Sequence, residues 1–268
     1  MKLYKLLMPV ALIAATIVSA SAEKRLQRDI TYTANPDEYA QKRCKLDVSY
    51  DSDKSGLPVI VWFHGGGLTG GEKSIPREID NGDYMVVAAN YRLIPQVSVA
   101  ECIDDAAAAV AWAFANAEQY GGDPKKIIVS GHSAGGYLTS MVGFDKHWLA
   151  KYGVDADSIA MLVPFSGQAV THYSHRKTQG IGELQATIDE YAPLTHIRPD
   201  APPYVIICGD REEELYGRYE ENAYLWRMLK LVGHPEVYIY EIGGHDHGQM
   251  VGPSFLILKK HIRKLLDR

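Results

Sequence analysis

Ser133 sits in Gly131-His132-Ser133-Ala134-Gly135, a G-x-S-x-G pattern directly behind the apolar run Ile127-Ile128-Val129-Ser130. A serine flanked by small residues between a strand and a helix suits a sharp turn that holds its hydroxyl exposed and strained, ready for nucleophilic attack. A plain glycine turn would account for the glycines but not for the strand before and the helix after. Upstream, His64-Gly65-Gly66-Gly67 follows a second apolar run, Val59–Phe63. A tetrahedral intermediate needs backbone N–H donors close to its negative oxygen, and glycine lets the main chain approach without a side chain. The Gly66 and Gly67 amides, joined by the Ala134 amide after the nucleophile, are the expected oxyanion donors. His64 is expected to brace the loop rather than act as a base. Together the two motifs describe acyl transfer through a covalent serine intermediate.

Such a serine needs a base, and the base needs an acid, in the chain order Ser, Asp or Glu, His. Gly243-Gly244-His245-Asp246-His247-Gly248 offers two histidines. His247 is preferred because Gly248 suits a tight turn at the start of the last helix; His245 is the alternative. The pair could bind a metal, but no third ligand lies nearby, so no metal is expected. The acid should follow the strand Tyr204–Cys208, in Gly209-Asp210-Arg211-Glu212-Glu213-Glu214. Asp210 lies nearest the strand end and Glu212 has more reach. Spacing alone leaves both open, and a solvated run of carboxylates paired with Arg211 or Arg218 is the plainer reading.

The elements that must position these groups alternate. A leading antiparallel pair of strands is predicted within 28–50, then strands at Val59–Phe63 and Met85–Ala89. Val97–Ala117 is a predicted helix, with Val99, Ile103, Ala106, Val110 and Phe114 at helical spacing, stopped by Gly121-Gly122-Asp123-Pro124. Further strands are expected at Ile127–Ser130, Ile159–Phe165, Tyr204–Cys208 and Val237–Ile242, and helices at Tyr137–Val142, Glu220–Leu231 and Phe255–Leu266. This order implies an α/β fold, a mostly parallel central sheet with helices on both faces and ligands bound beyond the carboxyl ends of the strands. Residues 168–203 are long for a connection. They read as a small cap over the site, with one helix near Glu183–Tyr191.

Lys2 and Lys5, the uncharged apolar run Leu6–Val18 and Ala20-Ser21-Ala22 fit a signal peptide over residues 1–22, leaving a single domain at 23–268. The run is short of the ~20 residues that span a bilayer. Export to the periplasm or medium is therefore expected, with no membrane anchor after cleavage. A net charge of −5 offers no basic surface for nucleic acid. Cys44, Cys102 and Cys208 match no zinc spacing and are too few for a disulfide scaffold.

From about Val59 to the C-terminus the chain resembles the α/β-hydrolase esterases that carry His-Gly-Gly-Gly, the hormone-sensitive-lipase-like carboxylesterases. It resembles most closely the bacterial acetyl-xylan and feruloyl esterase-like hydrolases. The resemblance rests on both motifs and on Asn90-Tyr91-Arg92-Leu93, Asp105 with its alanines and Trp112, Gly122-Asp123-Pro124, Ala192-Pro193-Leu194, Pro202-Pro203 and Asp246-His247-Gly248. It implies an α/β-hydrolase fold and a catalytic set of Ser133, His247 and, three residues after Gly209, Glu212 in place of the usual Asp. It also implies a carboxylic-ester hydrolase that needs no cofactor. The expected substrate is a small-molecule or carbohydrate ester with a short acyl group, acetyl or feruloyl on plant polysaccharides. Two rivals remain: an amidase or peptidase of the same fold, and a silent hydrolase-like protein that only binds.

Overall fold

The computed structural model describes residues 23–267; the expected signal peptide, residues 1–22, lies outside them. Eight strands form one sheet in the order β1-β2-β4-β3-β5-β6-β7-β8. They are β1 (Lys24–Thr31), β2 (Lys45–Asp51), β3 (Leu57–Phe63), β4 (Met85–Ala89), β5 (Gly122–His132), β6 (Met161–Phe165), β7 (Tyr204–Gly209) and β8 (Val237–Ile242). β1 pairs antiparallel with β2, and β2 with β4; β4, β3, β5, β6, β7 and β8 run parallel. The helices are α1 (Glu38–Arg43), α2 (Val99–Asn116), α3 (Ala134–Phe144), α4 (Lys146–Ala150), α5 (Tyr173–Thr178), α6 (Arg218–Leu231) and α7 (Val251–Leu266).

The central parallel strands β3, β4 and β6 are apolar throughout because both faces of the sheet are covered there. β3 shows the alternation. Val59, Val61 and Phe63 face a core shared with α2, α3 and α6, while Ile60 and Trp62 face a second core under α7. Phe255 of α7 packs on Trp62 and Phe165 there. The helix read from the spacing of Val99, Ile103, Ala106, Val110 and Phe114 is α2; it buries the first four and half-buries Phe114. Its start is fixed by a capping box in which the Ser98 side chain takes the Glu101 N–H and the Glu101 carboxylate takes the Ser98 N–H. A buried ion pair ties α2 to the end of β4: Arg92 Nε and Nη2 meet Asp105 at 2.8 and 2.9 Å.

The connection from β6 to β7 departs from the sequence expectation. Its helix is α5, and Glu183–Tyr191 is irregular. The reason lies in where its polar groups are spent. The Thr187 carbonyl takes the Thr171 N–H at 3.0 Å, and the Asp189 carboxylate takes the Thr171 hydroxyl at 2.7 Å and the Tyr191 N–H at 2.8 Å. Buried Arg176 donates to the Thr171, Gly182 and Glu183 carbonyls, pinning the loop from beneath. At the start of this segment, Glu221 of α6 accepts the Ala169 and Val170 N–H groups. All three cysteines are free and buried.

Candidate active site

Ser133 joins β5 to α3 at φ 57°, ψ −114°. A non-glycine residue held there stores on the order of 1–3 kcal/mol of backbone strain. The surroundings hold it: the Ser133 N–H donates to the Phe165 carbonyl at 2.8 Å, and the Ser133 carbonyl accepts the Tyr137 N–H at 2.9 Å. Gly135 lets α3 leave the turn so closely over β3 that a Cβ there would lie 2.1 Å from the Phe63 carbonyl oxygen.

That same strand end opens the His64–Gly67 loop, whose α-carbons lie beside the serine: a Cβ on Gly65 would be 3.3 Å from Ser133 Cβ. Among the described residues, the Gly66 and Gly67 amides donate to no backbone carbonyl, while the Gly66 carbonyl takes the Thr69 and Gly70 N–H groups. The loop is braced from below. His64 Nδ1 donates to the Gly65 carbonyl at 2.7 Å, and its ring stacks on Tyr91 at 4.4 Å. The Tyr91 hydroxyl donates to the His64 carbonyl at 2.9 Å. Burial, with the Arg43 guanidinium nearby, pushes His64 down to about 4, so it stays neutral. The Asn90-Tyr91-Arg92 stretch thus supports this loop and fastens it to α2.

On the far side, His247 Nδ1 meets a carboxylate at 2.8 Å, and that carboxylate is Glu214. This corrects the expectation of Glu212, which is exposed and contributes only its N–H, to Asp210 Oδ1 at 3.0 Å. Asp210 is no partner of His247 either. It takes the Gly244 N–H at 2.7 Å and so shapes the histidine-bearing turn. The geometry follows from a single helical turn: the Glu213 and Glu214 N–H groups both bond the Asp210 carbonyl. Four residues make about one turn. Glu214 therefore comes back over the strand end, where the Gly209 N–H reaches Oε1 at 3.0 Å. Glu212, two residues on from Asp210, faces away.

Glu214 is pulled two ways. Burial raises its pKa, but hydrogen bonds from His247, Ser166 and the Gly209 amide outweigh burial and bring it down to about 2. A carboxylate that stays ionised holds His247 as its Nδ1–H tautomer and leaves Nε2 as the basic nitrogen. His245 instead donates Nδ1 to the Gly243 carbonyl at 2.9 Å and meets no carboxylate. No cluster of three or more His, Cys, Asp or Glu among the described residues suits a metal ion.

Three participants escaped the sequence reading. Ser166 follows β6 at φ 48°. It is fully buried, and its hydroxyl bonds Glu214 Oε1 at 2.5 Å and lies 3.0 Å from His247 Nδ1. Arg218 donates to the Ser166 carbonyl and to Glu221 Oε1. His132 packs against the His247 ring at 4.6 Å and donates Nε2 to the His247 carbonyl at 2.8 Å; burial lowers it to about 4. The only signal for Ser166 was a polar residue and a glycine closing an apolar strand. Ser133 Oγ itself carries no hydrogen bond among the described residues; contacts of this kind commonly tighten only when substrate is bound.

A parallel sheet with a nucleophile turn after β5 and a histidine after β8 defines an α/β-hydrolase fold. Residues 46–218 match the model of the BD-FAE family, and the chain belongs to that family. Two curated proteins of Mycobacterium tuberculosis are similar. The probable carboxylic ester hydrolase LipM is 28% identical over 212 residues, 70% of this chain and 49% of that protein. Esterase LipC is 27% identical over 72% of this chain and 51% of its own length. The chain spans about half the length of these curated relatives. Among solved structures, a truncated carbohydrate esterase from gut microbiota superposes with TM-score 0.74 at 16% identity, covering 91% of this chain and 97% of the other. Esterase 2 of Thermogutta terrifontis gives 0.70 at 20% identity, covering 91% and 94%. These two share the fold.

Proposed function

We propose that this chain is a serine carboxylic-ester hydrolase that cleaves short acyl esters. The observation that carries the reading is the strained Ser133 turn, whose His132 packs on His247, together with the buried carboxylate that holds His247 Nδ1. Ser133 Oγ attacks the ester carbonyl carbon while His247 Nε2 takes its proton. The carbonyl oxygen becomes negative against the Gly66, Gly67 and Ala134 amides. Glu214 stabilises the imidazolium, which returns the proton to the leaving alcohol as the C–O bond breaks. Water, deprotonated by the same histidine, then releases the acid from the acyl-serine.

A carbohydrate alcohol and an acetyl or feruloyl acyl group are the proposed substrate. Support comes from the resemblance to acetyl-xylan and feruloyl esterase-like hydrolases and from the carbohydrate esterase among the structural neighbours. The short cap favours small acyl groups: its α-helix, α5, has 6 residues. Export through residues 1–22 would place the enzyme where such polymers occur.

The test compares p-nitrophenyl acetate, butyrate and octanoate with methyl ferulate, using Ser133→Ala beside the parent protein. Turnover of the short esters should fall by at least about 10⁴-fold in the variant, because removing a nucleophile leaves only binding and oxyanion stabilisation. Equal turnover in both proteins, or none on any ester by the folded parent, would overturn the reading.

A further inference from the structure

We propose that Tyr173 is a further catalytic residue: its phenolic hydroxyl donates a hydrogen bond to the substrate's developing oxyanion, beside the Gly66 and Gly67 amides. The proposal rests on the ester-hydrolase reading above and adds a side-chain donor to it.

The observation is a close approach. A Cβ built on Gly67 would lie 2.0 Å from Tyr173 Oη, so the hydroxyl occupies the space that only glycine leaves open there. α5 is docked on this loop deliberately at two successive residues, since Ser174 Oγ donates to the Gly67 carbonyl. The tyrosine backbone is fixed as well. Its N–H bonds Gln168 Oε1 at 2.9 Å, and its ring stacks on His172 at 4.7 Å and 28°.

The hydroxyl is the second observation. Interior tyrosines normally find a partner for it. Tyr32, Tyr91 and Tyr137 do so with the Asn90, His64 and Tyr191 carbonyls. Tyr173 is half-buried, yet among the described residues its Oη has no hydrogen-bond partner. Tyr173 also lines a cavity of about 300 Å³ with Lys177, Ile181, Gly182 and Glu183. A phenol is a neutral donor at pH 7. Its hydrogen bond strengthens as charge grows on the acceptor, and a contact that strengthens in that way lowers the barrier rather than tightening substrate binding.

Tyr173→Phe in the full chain tests this, because it deletes one oxygen and keeps the ring stack. With p-nitrophenyl acetate and ethyl acetate, kcat should fall on the order of 10²-fold while KM stays within about 2-fold. Affinity for a trifluoromethyl ketone, whose adduct with the serine carries the oxyanion, should fall by the same factor. Incorporation of 3-fluorotyrosine at position 173, which retains the donor, should hold kcat near the parent value and so exclude a folding defect. An unchanged kcat, or a loss confined to KM, overturns the proposal. Ser133→Ala run in parallel separates the two claims. Turnover surviving in Ser133→Ala would sink the hydrolase reading; a dead Ser133→Ala beside a fully active Tyr173→Phe would sink only the role of Tyr173.

Discussion

The two halves of the site are built differently. The nucleophile half, His64–Gly67 and Gly131–Gly135, is made largely by main chain packed on main chain: a Cβ on Gly66, Gly131 or Gly135 would lie 2.2, 2.6 and 2.1 Å from backbone atoms. The acid half is made by side chains from three segments: Ser166 after β6, Glu214 and Arg218 in the stretch from β7 to the start of α6, and His247 after β8. Backbone geometry of the first kind demands a short, contiguous residue pattern. Side-chain geometry of the second kind demands only that a carboxylate arrive at one point, by whatever loop delivers it.

The largest expected effect breaks the acid half. Glu214→Gln should lower kcat by on the order of 10⁴-fold, since loss of the carboxylate no longer holds the working tautomer of the histidine. Glu212→Gln, two residues away and exposed, should leave kcat/KM within about 2-fold, as surface changes away from the chemistry do. Steady-state kinetics on p-nitrophenyl acetate decides the pair. The reverse ranking would return the acid to Glu212.

This contrast explains what the sequence made legible. Ser133, its turn and the alternating apolar runs were readable because each rests on a local rule: strand, glycine, serine, glycine, helix. α2 was readable from four buried positions at helical spacing. Glu214 was not, because a family spacing counted from Gly209 assumes an extended loop, and here the Asp210 carbonyl winds the chain into a turn. The helix expected near Glu183–Tyr191 failed for a related reason. The Thr171 N–H takes up the Thr187 carbonyl, Arg176 the Glu183 carbonyl and the Asp189 carboxylate the Tyr191 N–H, groups that a helix would have used internally. Ser166 had no local pattern to announce it, since its importance comes from residues distant in the chain.

The next prediction strikes the nucleophile half through packing alone. Gly135→Ala forces a Cβ to within 2.1 Å of the Phe63 carbonyl oxygen, against strand backbone that cannot give way easily. Overpacking of this kind costs about 1–3 kcal/mol, and the rigid neighbour places this case at the upper end. A urea unfolding midpoint well below the parent's, with kcat also reduced because Ser133 is displaced, is the expected result. An unchanged midpoint would show that the turn is more compliant than its contacts imply.

The smallest effect sharpens the comparison most, because it asks whether a side-chain assembly tolerates losing one member. Ser166→Ala keeps the Glu214–His247 bond and removes one of the hydrogen bonds that depress the Glu214 pKa. One neutral donor is worth about 1 kcal/mol, so kcat should fall only by about 5- to 10-fold. The sign of the pH effect follows from linkage. Glu214 titrates at about 2 in the folded chain against an ordinary 4.5, so it contributes stability that is fully present above 4.5 and is lost as pH falls toward 2. Without Ser166 the folded value rises toward 4.5, and the stability that remains disappears at higher pH. The two unfolding-midpoint curves should therefore keep a constant difference above pH 4.5 and converge as pH falls toward 2, because the smaller contribution left in Ser166→Ala is exhausted first. Parallel curves across the whole range would mean that Ser166 merely fills space and does not hold the carboxylate.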